Sequence, residues 1–379
     1  MESPPLSPTV SSNFTAFANA QASVEEKLAD YQPCEPGDDT AEFLRIFFKH
    51  LPREGQVNLA EDIDYCRDNT ELKQLAESLD TGLLRPMLAT GGRTPAMTTS
   101  PRVGVEDSIE NLDSLDLEST RRAAQGKLCR NCLRRDGQRC IVTGYWNTDF
   151  DFPPNAVDAP LQAAHIIPFS LGHFENQDER YQMSIIWVNI FRYFPNLRSR
   201  LNFTPEDINQ EDNVMMMFSP LHEQFGSFHF ILEPTSTPHR YHIKLFSKFP
   251  SAYKMHLPRS RYITITSHDQ RYPLPNPSLI AIHAAIGNIL HASGRGEKIE
   301  SFMRDLGAGG LGLVKDGSTD IGDLLSVSSL SLLTSVENQG QHPARGKGKK
   351  ASARTVLSGG AENRRPKVNE NQRPKGGTH

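Results

Sequence analysis

Two histidines and an asparagine stand out as residues that could carry chemistry: His165, Asn213 and His222. An imidazole has an unperturbed pKa of ~6.5, so near neutral pH it can take a proton from water or bind a metal ion. An asparagine amide can hydrogen-bond loop backbone and so hold a neighbouring side chain in one orientation. A base and a metal ion held a few ångströms apart are what hydrolysis of a phosphate ester requires.

The elements around these residues must bring them together. A strand predicted over 161–167 carries His165 near its end. The Ser-Pro pair at 219–220 is typical of a helix start, which places His222 in the first helical turn, facing back toward the strands. Asn213 lies between them in the sequence, where its amide can bond the loop and fix the orientation of His165.

The sequence around these residues resembles the HNH endonucleases. It contains C-x-x-T-G, then A-A-H-I-x-P, then N-x-x-x-L-x-x-x-x-H-x-x-F with Met217 in place of the leucine. The matching residues are Cys140, Thr143, Gly144, Ala163, Ala164, His165, Ile166, Pro168, Asn213, His222 and Phe225. The resemblance covers about residues 134–246 and is closest in character to fungal members of this branch.

This resemblance implies an α+β protein with a ββα-metal core, in which two strands and a helix grip one divalent ion, Mg²⁺ or Mn²⁺. It implies that His165 is the general base, that His222 is a metal ligand and that Asn213 is a structural support. The implied reaction is hydrolysis of DNA phosphodiester bonds, which makes DNA the expected partner.

The chain departs from the family pattern beside the first histidine. Many HNH proteins have Asp or His directly before it to bind metal, whereas this chain has Ala164. Alternation puts Gln162 on the same strand face, where related members often carry Glu. Asp158 and Asp212 are the substitute ligands that the sequence offers. The alternative interpretation is therefore an inactive HNH-like module that binds nucleic acid or protein.

A basic helix is predicted over 117–135, ahead of the motif. Its basic residues are Arg121, Arg122, Lys127, Arg130, Arg134 and Arg135. They could follow a phosphate backbone, although a charge run is more often a solvated helix face. Cys129 and Cys132 have zinc-knuckle spacing and Cys140 could add a third thiolate, but no fourth ligand is evident.

A long helix over 181–197 is apolar around most of its circumference. Such a helix packs in a core or against a protein partner, and the core is the commoner explanation. A third interpretation of the chain is therefore an interaction scaffold that uses this helix. Arg192, Arg198 and Arg200 near its end could meet DNA, a solvated helix end being the alternative.

Composition and turn residues divide the chain into five parts. They are a disordered segment (1–36), a small helical unit (37–88), a linker (89–116), an HNH-like domain with an added helix and hairpin (117–306) and a disordered basic tail (307–379). In the helical unit, Asp39 and Glu42 resemble a capping box and Gly82 is placed to end the second helix.

The composition also predicts where the protein resides. A charged-then-apolar leader and an apolar run of ~20 residues are both lacking, so we expect neither secretion nor a membrane span. Five cysteines, an odd number, fit the reducing cytosol or nucleus. In 341–379 ten basic residues stand against two acidic ones, a net charge of +8, and KGKK and RRPK resemble nuclear-import clusters. We therefore favour the nucleus.

Overall fold

The computed structural model of the protein describes residues 8–88, 97–113, 125–174, 176–199 and 201–307. The α-helices in these ranges are α1 (Pro8–Ala29), α2 (Thr40–His50), α3 (Arg53–Tyr65), α4 (Asn69–Leu79), α5 (Arg85–Leu88), α6 (Val105–Asp113), α7 (Gln125–Arg135), α8 (Gln177–Tyr193), α9 (Asn196–Ser199), α10 (Ser219–Gly226), α11 (Pro277–Ala292) and α12 (Arg295–Gly307). None of the helices described is long and apolar enough to cross a membrane.

The strands form three small sheets. They are β1 (Trp146–Asn147), β2 (Asp158–Ala159), β3 (Leu161–His165), β4 (Val214–Phe218), β5 (Phe230–Pro234), β6 (Arg240–Leu245) and β7 (Tyr262–Thr264). Strands β1 and β2 pair in parallel, β3 and β4 pair antiparallel, and β5, β6 and β7 form an antiparallel sheet. Helices and short sheets that alternate irregularly along the chain confirm the predicted α+β class.

The N-terminal segment that was predicted to be disordered contains helix α1. Ala20, Val24 and Leu28 recur every fourth residue, and all three are buried where α1 packs on α3. This spacing places them on one helical face. The Ser, Thr and Asn residues that precede Ala20 conceal the helix in the sequence, so the prediction of disorder was wrong for this stretch.

The predicted linker is also partly helical, because α6 lies within it. Val105, Ile109 and Leu112 are buried against α8 and follow the i, i+4, i+7 spacing of a single helix face. Residues 89–96 and 114–124 fall outside the described residues. The linker prediction was therefore wrong for the stretch that forms α6.

Gly82 does not end a helix, as its residue type had indicated. The chain passes from α4 through one π-helical stretch, Asp80–Leu84, into α5. A Cβ at Gly82 would lie 2.7 Å from Nδ2 of Asn189 on α8, which donates to the Gly82 carbonyl at 3.3 Å. Glycine is required here because two helices approach closely, and its φ is not in the left-handed region.

Helix α8 packs in the core. Of the two explanations for its wide apolar stripe, core packing or a protein partner, the first is therefore the one observed. Ile186, Trp187, Ile190 and Tyr193 are buried, and they join residues of α2, α3 and α4 in one hydrophobic cluster. The predicted helical unit and the predicted HNH-like domain thus share a core. Arg192, a candidate for DNA contact, instead donates to both carboxylate oxygens of Asp62.

Several predicted features fall wholly or partly outside the described residues. Helix α7 begins at Gln125, so Arg121 and Arg122 of the predicted basic helix are not described. The same holds for Arg200 and for 308–379, which contains nearly all of the predicted basic tail.

Candidate active site

Strands β3 and β4 and helix α10 form a ββα unit around the residues singled out in the sequence. His165 pairs with Val214 at one end of the two-stranded ladder, and Leu161 pairs with Phe218 at the other. Helix α10 follows β4 without a linker and packs on both strands. One face of the β3–β4 pair packs on α7, through Leu128 and Cys132, and the other faces the main core.

His165 lies at the end of β3 and is half-buried. Its Nε2 atom is 3.0 Å from Oδ1 of Asn209. A carboxamide oxygen only accepts hydrogen bonds, so Nε2 carries the proton and Nδ1 keeps its lone pair. Burial lowers the pKa of His165, the bond to Asn209 raises it, and the nearby charge of His222 lowers it further. The result is an imidazole that is neutral at physiological pH and has one free acceptor nitrogen.

Asn213 is fully buried just before β4 and binds the chain that leaves β3. Its Oδ1 accepts from the Ile167 amide at 2.8 Å, and its Nδ2 donates to the carbonyls of Ile167 at 3.0 Å and Ile208 at 2.9 Å. Its own carbonyl accepts from the Ile166 amide at 2.8 Å. Asn213 therefore joins the segment after His165 to the segment that carries Asn209.

His222 lies in the first turn of α10 and faces β3, the position that the helix-start signal predicted. Its Nδ1 is 2.6 Å from Oε1 of Gln162, so Nδ1 donates and Nε2 is left as an acceptor. Burial lowers the pKa of this imidazole. Because the charge of His222 acts on the pKa of His165, the two rings belong to one electrostatic environment.

The structure does not assemble the predicted metal ligands His222, Asp158 and Asp212. Asp158 belongs to β2, where it pairs with Trp146 of β1. Burial raises the pKa of Asp212, whose carboxylate is hydrogen-bonded to the side chain of Asn276. Within the described residues, no three His, Cys, Asp or Glu side chains are grouped so that they could hold a metal ion.

Ala164 explains part of this result. Its side chain is fully buried in the main core, opposite the equally buried Met215 of β4. The position that supplies a ligand in many HNH proteins is here part of the hydrophobic packing. The side chain hydrogen-bonded to His222 is the amide of Gln162, whereas Mg²⁺ and Mn²⁺ prefer carboxylate oxygens. The residues present thus do not fit a complete divalent-metal site.

Two groups that support the site were missed in the sequence. Asn209 comes from a 3-10 helix, Pro205–Asn209, in an interval that shows no motif. Arg135 is fully buried and donates to the carbonyls of Glu211, of Val214 at 2.6 Å and of Pro273 at 3.1 Å. It had been counted among the basic residues of a helix face. Nothing in the sequence distinguishes the buried pair Arg135 and Asp136 from an arginine and an aspartate on the protein surface.

In the part of the chain that the structure describes, the cysteines are not grouped with other side chains that could hold a zinc ion. Cys129, Cys132 and Cys140 are free thiols. Burial raises the pKa of the Cys132 thiol to about 12. Cys132 packs against Val214 and Met216, which explains why a small apolar side chain occupies this position.

Replacing Gln162 with glutamate should create the carboxylate that this site lacks. A negative charge beside His222 favours the imidazolium, so the pKa of His222 should rise, and binding of Mn²⁺ should become measurable or tighten. Histidine proton shifts followed against pH, and calorimetric titration with Mn²⁺, measure the two effects. Gln270→Glu, at an exposed position ahead of α11, adds the same charge elsewhere and should change neither. An unaltered His222 pKa in Gln162→Glu would contradict the contact described.

Comparison with known proteins agrees with the geometry. Residues 140–233, which include β3, β4, α10 and all three candidate residues, match the family model described as HNH endonuclease. No curated protein and no solved structure is matched by this chain. The matched segment begins at the C-x-x-T-G motif and ends in β5. Residues 140–233 therefore match the HNH endonuclease family and contain its ββα core.

Proposed function

We propose that this domain hydrolyses phosphodiester bonds in DNA and that His165 is its general base. The observation that carries the proposal is the hydrogen bond from Nε2 of His165 to Asn209, which leaves Nδ1 as a proton acceptor at the end of β3. A general base has to be neutral and oriented before substrate arrives. Burial keeps the imidazole of His165 neutral, and the hydrogen bond to Asn209 fixes its orientation.

The proposed step uses groups that the chain supplies. Nδ1 of His165 takes a proton from a water molecule as the water oxygen attacks phosphorus. The bond from phosphorus to the leaving sugar oxygen breaks, and that oxygen takes a proton from solvent. His222, whose Nε2 is free and which shares the electrostatic environment of His165, would contact the phosphate group undergoing attack. No step is assigned to a metal ion, because the side chains here do not form its ligand set.

A plasmid assay tests the proposal. Supercoiled DNA is incubated with the full-length protein at neutral pH, in parallel with Mg²⁺, Mn²⁺ and a chelator. Conversion of supercoiled to open-circular DNA by the wild-type protein, and its loss in His165→Ala, are the expected results. Intact plasmid in all three conditions would contradict catalysis.

A second candidate function is a non-catalytic HNH module that binds DNA. The bond between Gln162 and His222 favours it, because an amide holds the histidine that the family resemblance makes a metal ligand. This candidate predicts that plasmid is retarded in a gel without being nicked. Salt-dependent retardation in both the wild type and His165→Ala, with no cleavage in either, would establish it.

Asn209 is, in this proposal, a positioning residue that sets the tautomer of His165. In Asn209→Asp the added carboxylate should favour the protonated imidazole and raise the pKa of His165. The base would then be blocked at mildly acidic pH, so at pH 6 the rate of nicking should fall by about tenfold relative to the wild type. Histidine proton shifts against pH, with the pH-rate profile, measure both effects.

The control for that change is Gln210→Glu, which adds a carboxylate at the next, exposed residue. It should leave the pKa of His165 and the pH-rate profile near their wild-type values. An unchanged His165 pKa in Asn209→Asp would show that Asn209 does not set the protonation of the base. Because the pKa is read without substrate, this result is independent of whether DNA is cleaved.

We also propose a nuclear location, on the strength of the +8 charge and the KGKK and RRPK clusters within 341–379. The same charge would add affinity for DNA that weakens as salt is raised. Microscopy of the tagged protein with and without residues 341–379 tests the nuclear location. Equal nuclear signal from both proteins would contradict it.

A further inference from the structure

A cavity of about 980 Å³ lies between α3, α6 and the α8–α9 region. None of the ββα residues lines it. Its buried wall includes Leu112 and Val188, and Phe191 faces it from α8. The volume falls in the range of small-molecule sites, which are mostly apolar with a few placed polar groups.

Nη1 of Arg102 is a buried polar atom in this cavity that lacks a hydrogen-bond partner. The side chain of Arg102 is 9% exposed, and its Nη1 makes no hydrogen bond within the described residues. The nearest carboxylate oxygen is Oδ2 of Asp62 at 3.9 Å, beyond hydrogen-bond distance. A buried guanidinium donor without a partner is costly, so an anion in the cavity would relieve that cost.

Asp62 lies too far from Arg102 to accept a hydrogen bond from it, and both of its oxygens already accept from other donors. Its Oδ1 accepts from Arg192 at 2.8 Å, and its Oδ2 accepts from Arg192 at 3.2 Å and from the Tyr193 hydroxyl at 2.9 Å. The remaining acid, Glu61, is 61% exposed and also pairs with Arg192. With Arg198 on the rim, three arginines face two acids, which leaves one positive charge in excess.

The cavity also has an aromatic and apolar mouth. The guanidinium of Arg198 lies 5.6 Å from the centre of the Phe191 ring. Tyr65 is 55% exposed and Val103 64% exposed, and both line the opening. Tyr65 and Val103 thus add apolar surface at the opening, next to the charged groups.

We propose that this cavity binds a small anion that carries an aromatic ring, the chemistry of a mononucleotide. Its phosphate would lie on Arg102 and its ring against Phe191, with Arg198 next to both. Guanidinium groups suit phosphate oxygens because their donors match them in geometry and charge. This function is separate from the HNH site and does not depend on DNA hydrolysis.

The test is calorimetric titration and thermal unfolding of the full-length protein with adenosine 5′-monophosphate, inorganic phosphate and adenosine. The monophosphate should bind and raise the melting temperature, phosphate should bind more weakly, and adenosine should bind weakest. Arg102→Met should weaken binding of the monophosphate by about tenfold to a hundredfold. Phe191→Leu should weaken binding of the monophosphate but leave binding of inorganic phosphate unchanged.

Two controls separate binding from folding. Because Nη1 of Arg102 has no hydrogen bond to lose, Arg102→Met should not lower the melting temperature of the ligand-free protein. Arg67→Met removes an exposed arginine outside the cavity and should bind all probes as the wild type does. His165→Ala should also bind normally, which distinguishes this site from the HNH site.

Three results would overturn the proposal. They are absence of binding of the monophosphate at millimolar concentration, equal affinity for phosphate and the monophosphate, and an Arg102→Met protein that melts several degrees lower yet binds as before. The last would assign Arg102 to a structural ion pair with Asp62.

Discussion

His165→Ala should lower the rate of DNA nicking by about 10²- to 10⁴-fold, the usual contribution of a general base. The reason is specific to this structure, because Asn209 already holds the proton on Nε2 and leaves Nδ1 as the acceptor. His222 also has a free acceptor nitrogen, Nε2, but it lies in the first turn of α10 and not at the end of β3, so we expect it not to replace His165. The loss should therefore appear in the catalytic rate, with little change in the affinity for DNA.

The wild-type pH profile provides a second test of the same residue. Because burial lowers the pKa of His165, the neutral base should persist as the pH falls through ~6.5, where an ordinary imidazole becomes protonated. His242→Ala on strand β6 removes a histidine outside the ββα unit and should keep wild-type activity. Equal nicking by the wild type and His165→Ala would remove His165 from the reaction.

Asn213→Ala should destabilise the protein severely. The substitution removes three side-chain hydrogen bonds in a fully buried site and leaves the Ile167 amide and the carbonyls of Ile167 and Ile208 without partners. Each buried polar group left unsatisfied costs about 1–3 kcal/mol, so the free energy of unfolding should fall by about 3 kcal/mol or more. That is a large fraction of the stability of an ordinary domain.

Urea denaturation followed by circular dichroism measures this loss. Asn213→Asp tests the explanation, because it keeps the shape and the bond from the Ile167 amide but turns a carboxylate toward two carbonyls. It should destabilise as well. Gln210→Ala, exposed and three residues away, should change the free energy of unfolding by less than about 0.5 kcal/mol. A stable Asn213→Ala protein that had lost only activity would instead give Asn213 a direct part in the chemistry.

The ββα arrangement of the site could be predicted because its signals are local. Pro168 follows β3, Pro220 opens α10, and each fixes the backbone of its own neighbourhood. Alternation along β3 placed Gln162 and Ala164 on one face correctly. It could not show that Ala164 would be buried, since burial depends on Met215 and the core beneath it.

The contacts between distant segments could not be predicted in this way. Asn209 and His165 are 44 positions apart, and an asparagine in a 3-10 helix has no periodicity that would mark it. Asp212 failed as a ligand for a related reason, because its partner Asn276 lies far along the chain. Sequence spacing identifies which residues share an element, but it does not determine which elements meet.

The hydrogen bonds of Arg135 have a consequence for the order in which the protein folds. They close chain separations of 76 residues to Glu211, 79 to Val214 and 138 to Pro273. Contacts of high sequence separation form slowly, because the entropy of loop closure must be overcome first. During synthesis β3 and β4 leave the ribosome well before Pro273, so the bond from Arg135 to Pro273 can form only after the segment before α11 has arrived. A fragment limited to residues 140–233 would lack both Arg135 and Pro273.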